Sequence, residues 1–151
     1  MNMEMHVASA SPKALLQTVL SALRQGSVGV AVEQFDHHHF TFVDHGLGLE
    51  FGDKGRLTEF FTKTRELYPD SAVLVDFLLE TDDYVIAEWT LRSTMVEPFF
   101  GGLTRKVPIT LPGVSIVRTY GDKIIHWSDY YDGLMARRTA LAAFFTAWVE
   151  L

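Results

Sequence analysis

The chain has 151 residues, 48% of them hydrophobic, a formal net charge of −6 and no cysteine. This is enough apolar material for the core of one globular domain, which we expect to span residues 1–151. The net negative charge and the scattered basic residues argue against a nucleic-acid partner. The lack of a long apolar run argues against a membrane span. The absence of cysteine excludes disulfides and fits a cytoplasmic protein.

The first half of the chain predicts mainly helices. Ser11 and Pro12 are typical of a helix start, because a hydroxyl caps the first turn and proline suits the first helical position. Gly26 is a typical helix end. The elements predicted after it are a helix over 28–35, a short strand over 40–43, a loop over 46–52 and a helix from Asp53 to about Leu67.

The second half predicts an antiparallel meander and a final helix. Strands are predicted over 72–80, 84–96, 107–119 and 124–132, and a helix over 133–151. The first two strands enclose a turn at Thr81–Asp83, which favours a hairpin. Within 107–119 the apolar residues change parity at Pro112 and Gly113, which predicts a β-bulge at that point.

The last predicted strand carries the most informative side chains. Because side chains on a strand alternate between two faces, Asp129 shares a face with Ile125, Trp127 and Tyr131. A carboxylate in an apolar and aromatic row is a candidate for a raised pKa and for proton transfer. We therefore predict that Asp129 is a catalytic acid or base, with a purely structural hydrogen-bonding role as the alternative. Asp132 is better placed to cap the following helix.

The order of these elements predicts an α+β fold, in which a strongly curved, cone-shaped sheet wraps around the N-terminal helices and encloses an apolar pocket. The loop over 44–51 before the helix 55–67, the strand 84–92 and the segment 121–132 resemble the SnoaL-like polyketide cyclase branch of the nuclear-transport-factor-2-like superfamily. The resemblance implies this fold and a homodimer. Because the superfamily includes isomerases, cyclases, hydrolases and non-enzymes, the resemblance leaves the reaction open.

The segment from Trp127 to Asp132 is also similar to the final strand of limonene-epoxide hydrolases. That resemblance implies that Asp129 is the pocket carboxylate. Those enzymes also require an Arg–Asp pair on a central strand, where this chain has Trp89 and Leu91, so epoxide hydrolysis is disfavoured. Asp44 lies near the position of a water-binding amide in that family and of an early base in ketosteroid isomerases. We therefore predict Asp44 as the second catalytic residue, with an ordinary strand-to-loop exit at Asp44, His45 and Gly46 as the alternative.

The predicted pocket suits a small hydrophobic molecule that carries a carbonyl or an acidic C–H. Its expected lining residues are Trp127, Trp89, Phe42, Leu91, Tyr131 and His45. We expect a cofactor-independent isomerase, cyclase or hydrolase, with His45 or Tyr130 as possible assistants to the aspartates. The alternative is a non-catalytic module for ligand binding or dimerisation, which a cavity filled by Phe99, Phe100 or Trp148 would favour.

Two further expectations concern metals and partners. The run His37–His39 suggests metal binding, but consecutive residues point in different directions and cannot all bind one ion, so no metal is predicted. A homodimer is expected, because the outer face of the sheet needs a cover. The residues predicted on that face are Ile86, Thr90, Ile116 and Tyr130.

Overall fold

The computed structural model describes residues 10–98 and 100–134. The helices are α1 (Pro12–Gln25), α2 (Val28–Glu33) and α3 (Lys54–Leu67), and the strands are β1 (Thr41–Asp44), β2 (Leu49–Phe51), β3 (Ala72–Glu80), β4 (Tyr84–Pro98), β5 (Thr104–Tyr120) and β6 (Lys123–Tyr131). A short 3-10 turn, Phe100–Gly102, joins β4 to β5. From residue 135 onward the predicted C-terminal helix lies outside the described residues, as do Phe99, Trp148 and the side chain of Phe100.

The six strands form one mixed sheet in the order β2-β1-β6-β5-β4-β3. All neighbouring strands are antiparallel except β1 and β6, which are parallel. Helix α1 lies across β3, β4, β5 and β6, and α3 contacts β2 and β4. We call the helix-covered side of the sheet the inner face and the opposite side the outer face. The predicted α+β fold with a curved sheet around the N-terminal helices is confirmed.

The helix ends follow the sequence signals closely. The Ser11 hydroxyl accepts a hydrogen bond from the Ala14 amide at 3.1 Å, and Gly26 ends α1 with a φ of 84°. The Asp53 carboxylate accepts from the Arg56 amide at 2.9 Å. Each contact satisfies a backbone group that a helix end leaves unpaired. No helix in the described part of the chain is long and apolar enough to cross a membrane.

An aromatic cluster fills the core between α3 and the inner face. The Phe42 ring contacts those of Phe61 and Phe60 at centroid distances of 5.5 and 5.8 Å, and stacks on Trp127 at 6.3 Å. Phe42 and Trp127 are only 2% and 3% exposed. Edge-to-face and offset rings of this kind stabilise a core beyond the effect of the buried area alone. This cluster fixes β1 against β6.

The predicted loop over 46–52 contains a strand. Residues Leu49–Phe51 form β2, which pairs antiparallel with β1, so that Phe42 opposes Phe51 and Asp44 opposes Leu49. Three residues are too few for a recognisable alternation, and this prediction was wrong for that reason. The hairpin turn contains Gly48 with a φ of 69°, a conformation that glycine adopts without steric cost.

The bulge predicted at Pro112 and Gly113 is absent. The ladder between β4 and β5 runs without a shift from Tyr84 to Pro98, and the odd-numbered residues of β5 stay on the inner face throughout. Gly113 lies under the Trp89 ring, because a Cβ on this glycine would come within 2.3 Å of the indole. The apparent change of parity therefore reflects small residues that make room for a large ring.

A bulge does occur in β6, at a position the sequence did not indicate. Ile124 pairs with Thr119 and His126 pairs with Arg118, so Ile125 is left unpaired. Ile124 is fully buried and pairs with Thr119, which lies on the inner face, so the strict alternation assumed along this strand does not extend across the bulge. A single extra residue changes which side chains face inward. A second irregularity lies in β3 between Val75 and Phe77.

The contact between Gly113 and Trp89 predicts the effect of Gly113→Ala. The added methyl group collides with the indole, so we expect the free energy of unfolding to fall by about 1–3 kcal/mol, as in other overpacked cores. Gly29→Ala is the matched control, because its Cβ would meet nothing within 4 Å and alanine favours the helix. Urea unfolding of both variants measures the difference. Equal stability of the two variants would contradict the proposed close packing.

Candidate active site

The parallel pairing of β1 with β6 brings two carboxylates to adjacent positions. Asp44 opposes Asp129, and Phe42 opposes Trp127 two residues earlier. Directly opposed residues on neighbouring strands project from the same face of a sheet. Both aspartates therefore lie on the inner face, and the structure brings together the two residues predicted to be catalytic.

The Asp129 carboxylate is held through one of its two oxygens. The Ser115 hydroxyl donates to Oδ1 at 2.5 Å, and the Trp127 indole Nε1 donates to the same oxygen at 2.6 Å. Oδ2 accepts no hydrogen bond from any described residue. The residue as a whole is partly exposed, and Oδ2 is the carboxylate oxygen left without a protein donor among the described residues.

The surroundings of Asp129 change its acidity. Burial raises the pKa of its carboxyl from the ordinary 3.8 to about 6, because an apolar environment disfavours the ionised form. The hydrogen bonds from Ser115 and Trp127 lower the pKa, and the negative charge of Asp44 raises it further. Desolvation is the largest of these effects. The result is a carboxyl that gains and loses its proton close to neutral pH.

Asp44, like Asp129, has two hydrogen-bond donors, but one of them, the Tyr131 hydroxyl, lies within reach of both carboxylate oxygens. The Tyr131 hydroxyl donates to its two carboxylate oxygens, at 2.7 and 3.0 Å, and the Leu47 amide donates to Oδ1 at 2.8 Å. Asp44 is only 6% exposed. Burial, followed by the bond to Asp44 and the charges of both aspartates, raises the pKa of Tyr131 well above its usual value. Tyr131 therefore stays protonated and donates to Asp44.

Two glycines allow the close approach that this hydrogen bond requires. A Cβ on Gly46 would lie 2.2 Å from ring atoms of Tyr131, and a Cβ on Gly133 would lie 1.9 Å from the carbonyl oxygen of Gly46. No larger residue fits at either position without movement of the backbone or the ring. The turn after β1 therefore lies directly against the end of β6, with the Tyr131 ring packed on Gly46.

Trp89 reaches the site through Ser115. Its indole Nε1 donates to the Ser115 hydroxyl at 2.8 Å, and both residues are buried. Sequence reasoning did not name Ser115, because the bulge predicted at Pro112 and Gly113 interrupted the alternation along β5 just before it. Uninterrupted alternation along β5 would have placed this polar residue on the inner face, beside Asp129.

The other predicted lining residues fall into three groups. Leu91 and Tyr131 are partly exposed and can contact a ligand. Phe42 and Trp127 are enclosed in the aromatic core. His45 is exposed and stacks on Tyr130 at a centroid distance of 4.2 Å. It follows Asp44 directly and projects from the opposite face, so neither His45 nor Tyr130 joins the two aspartates.

The histidine run lies in a different part of the molecule. Asp36 accepts hydrogen bonds from the amides of His38 and His39, both at 2.9 Å, and these bonds lower the pKa of its carboxyl. His37 contacts Lys54 at 3.1 Å. Among the described residues, no group of three or more potential ligands is placed to hold a metal ion. A groove beside this run includes none of the predicted site residues and is lined by Asp36, His38, His39, Phe40, Thr41, Gly52, Tyr120 and Ile125.

Comparison with known proteins supports the resemblance drawn from the sequence. A family model described as SnoaL-like polyketide cyclase matches residues 17–139. No curated protein matches the chain. A solved structure from Shewanella denitrificans, described as a candidate SnoaL-like polyketide cyclase, superposes with a TM-score of 0.75 at 13% identity, over 87% of this chain and 97% of that one.

Two other solved structures share the fold. A protein from Catenulispora acidiphila with a ketosteroid-isomerase-like fold, in complex with trimethylamine, has a TM-score of 0.66 and 19% identity, over 78% of this chain and 84% of that one. AclR from Streptomyces galilaeus, described as a candidate hydroxylase, has a TM-score of 0.64 and 16% identity, over 83% of this chain and 93% of that one. At sequence identities this low, the structural similarity establishes a shared fold and does not establish a shared reaction.

The raised pKa of Asp129 predicts a pH dependence of stability. Between about pH 4 and pH 6 the folded protein keeps a proton that the unfolded chain has released, so the free energy of unfolding falls as pH rises through this range. At about 1.4 kcal/mol per pKa unit, the cost at pH 7 is on the order of 3 kcal/mol.

Asp129→Asn should remove this pH dependence of stability, because the amide has nearly the same shape as the carboxyl group and does not ionise. We expect the variant to be more stable than the original protein at pH 7, and its advantage to shrink towards pH 4. Urea unfolding across this range measures the effect, with Asp122→Asn in the exposed β5–β6 turn as the charge-matched control. Parallel pH profiles for the original protein and Asp129→Asn would contradict the assignment.

Proposed function

The chain belongs to the SnoaL-like polyketide cyclase family, and on that premise we propose that it is a cofactor-independent enzyme that uses Asp129 as a general base on a small, hydrophobic, carbonyl-containing substrate. The observation that carries the proposal is the state of the Asp129 carboxylate. One of its oxygens accepts from two donors, the other accepts from no described residue, and burial raises its pKa to about 6. A base with a pKa near the working pH is the most effective in proton transfer.

The proposed step is removal of a proton from the carbon next to the carbonyl. Asp129 Oδ2 takes the proton, and the electron pair of the C–H bond forms the double bond of an enolate. An isomerase then returns the proton to a different carbon. A cyclase uses the enolate carbon to attack a second carbonyl of the same molecule, whose π electron pair moves to its oxygen, and that oxygen takes the proton from Asp129. Both outcomes begin with the same base, so this site is compatible with either.

Asp44 supports the base in this proposal without exchanging the substrate proton itself. Its oxygens already accept bonds from Tyr131 and the Leu47 amide. Its negative charge raises the pKa of Asp129 and so makes Asp129 a stronger base. The two carboxylates therefore have different roles, although they are neighbours in the sheet.

The family and the solved relatives favour a small-molecule partner. The Shewanella denitrificans protein is described as a candidate polyketide cyclase, and the Catenulispora acidiphila protein holds trimethylamine. Epoxide hydrolysis is not part of the proposal. By the resemblance to limonene-epoxide hydrolases, Trp89 and Leu91 correspond to the Arg–Asp pair that this reaction requires, and the Trp89 N–H already donates to Ser115.

Deuterium exchange tests the proposed base without knowledge of the natural substrate. β-Tetralone is a flat apolar ketone with an acidic C–H, and proton NMR in heavy water follows its exchange. We expect the protein to accelerate exchange, with a rate that rises with pH and levels off above about pH 6. Asp129→Asn should lower the rate at least about 100-fold, because general acid–base catalysis contributes about that much or more.

Two further variants make this experiment specific. Asp44→Asn should lower the apparent pKa of the rate profile, because it removes the neighbouring negative charge. Asp122→Asn, in the exposed turn, should leave the rate unchanged. Full exchange activity in Asp129→Asn would show that Asp129 is not the base. Binding of the ketone without any accelerated exchange would favour the non-catalytic alternative.

We also propose that the outer face of the sheet forms a homodimer interface. Residues of β3 and β6 expose large apolar side chains there, among them Phe77, which is 56% exposed. The others exposed on this face are Leu74, Leu79 and Tyr130, and Ile86, Val114 and Ile116 are half-buried between them. Monomeric proteins seldom leave such contiguous apolar surface uncovered, so this face indicates a protein partner, and a second copy is the simplest one.

Sedimentation equilibrium tests the dimer. Phe77→Lys adds a charge on the exposed outer face and should shift the protein to a monomer without loss of folding, because the side chain makes no core contact. Thr62→Lys on the exposed side of α3 is the matched control and should remain dimeric. A monomer for the unmodified protein at micromolar concentration would exclude this interface.

A further inference from the structure

The hydrogen bonds around Asp129 form a chain with a fixed direction. The Trp89 indole donates to Ser115 at 2.8 Å, Ser115 lies 2.5 Å from Asp129 Oδ1, and the Trp127 indole lies 2.6 Å from the same oxygen. An indole N–H can donate but cannot accept. The Ser115 oxygen must therefore accept from Trp89, and its own hydrogen is left to point at Asp129.

This chain is enclosed in the core. Ser115 is 2% exposed, and Trp89 and Trp127 are also buried. Water cannot readily replace a lost partner there, and hydrogen bonds are stronger in so apolar a setting. The orientation of the Ser115 hydroxyl is therefore set by Trp89, whose ring is in turn held against Gly113.

We propose that Ser115, oriented by Trp89, and Trp127 are positioning residues that occupy Oδ1 of Asp129 and confine its proton exchange to Oδ2. This inference rests on the proposed function, since it assigns the reacting atom of the same base. A proton on Oδ1 would face two hydrogens that already point at that oxygen. Oδ2 has no such donor among the described residues, so it receives the proton from the substrate and later returns it.

The charged and titratable groups near Asp129 are few. Among the described residues, those facing it are Asp44 on β1 and Tyr131 on β6. No Lys, Arg or His in the described part of the chain forms an ion pair with either aspartate. Tyr131 donates to Asp44 and takes no part in the chain from Trp89. The two indoles and Ser115 are therefore the groups that respond most directly to ionisation of Asp129.

NMR titration tests the chain without any substrate. Carbon-13 spectra follow the Asp129 carboxyl, and nitrogen-15 spectra follow the indole N–H groups of Trp89 and Trp127. In the unmodified protein both indole resonances should move with the titration of Asp129, near pH 6. In Ser115→Ala the Trp89 resonance should no longer respond, while that of Trp127 still does. The pKa of Asp129 should rise by about one unit, because a donor to its ionised form is lost.

Combined variants separate a positioning role from a general effect on packing. Ser115→Ala and Trp127→Phe each remove a donor to Oδ1, so their effects on the pKa and on the pH–rate profile should add. Trp89→Phe acts on Asp129 only through Ser115, so it should cause no further change in the pKa of Asp129 or in the pH–rate profile when Ser115→Ala is already present. Ser115→Thr keeps the hydroxyl and should restore the original profile. Thermal melting establishes that each variant is folded before it is compared.

The outcomes distinguish this inference from the proposed function. The positioning role would be overturned if the Trp89 indole resonance did not shift as Asp129 titrates. It would also be overturned if Ser115→Ala had the same pH–rate profile as the unmodified protein. If the coupled titration is present but β-tetralone exchange is not accelerated, the hydrogen-bond chain stands and the proposed function fails. If β-tetralone exchange depends on Asp129 but neither indole resonance shifts with its titration, Asp129 remains the proposed base and the positioning role is wrong.

Discussion

The parallel register between β1 and β6 places two acidic side chains next to each other on the inner face of the sheet. Their mutual repulsion, combined with burial, opposes folding, and the surrounding residues reduce this cost unequally. Asp44 has the Tyr131 hydroxyl across both of its oxygens and the Leu47 amide at one, and it is nearly enclosed. Asp129 accepts two hydrogen bonds at a single oxygen, and burial raises its pKa to about 6. Separate environments for two neighbouring carboxyls are a common basis for acid–base function.

Small residues make this arrangement possible. Gly113 leaves room for the Trp89 ring, and Gly46 leaves room for the Tyr131 ring. Each ring then presents one donor group in a fixed direction, to Ser115 in one case and to Asp44 in the other. The precision of the site therefore depends on missing side chains as much as on those present. This fits the general observation that reactive groups need a rigid supporting shell.

The features that sequence reasoning predicted correctly depend on neighbours close in the chain. The helix caps at Ser11 and Asp53 and the shared face of Trp127, Asp129 and Tyr131 are of this kind. The features it missed depend on partner strands. The bulge at Ile125 and the inward position of Ser115 follow from register and from the size of the Trp89 ring, which a single strand does not reveal. His45 was predicted to line the pocket, although it directly follows Asp44 and successive strand residues face opposite ways.

The bulge at Ile125 also determines where the chain can vary in length. Ile124 and His126 already pair with adjacent residues of β5, so loss of the unpaired residue between them would give a regular ladder and leave Asp129 on the inner face. A one-residue change anywhere between His126 and Asp129 would instead turn the carboxylate to the outer face. Homologues one residue shorter at this point can therefore retain the same carboxylate pair. A homologue with an alignment gap opposite Ile125 therefore keeps its carboxylate on the inner face. A gap two residues later moves that carboxylate to the outer face.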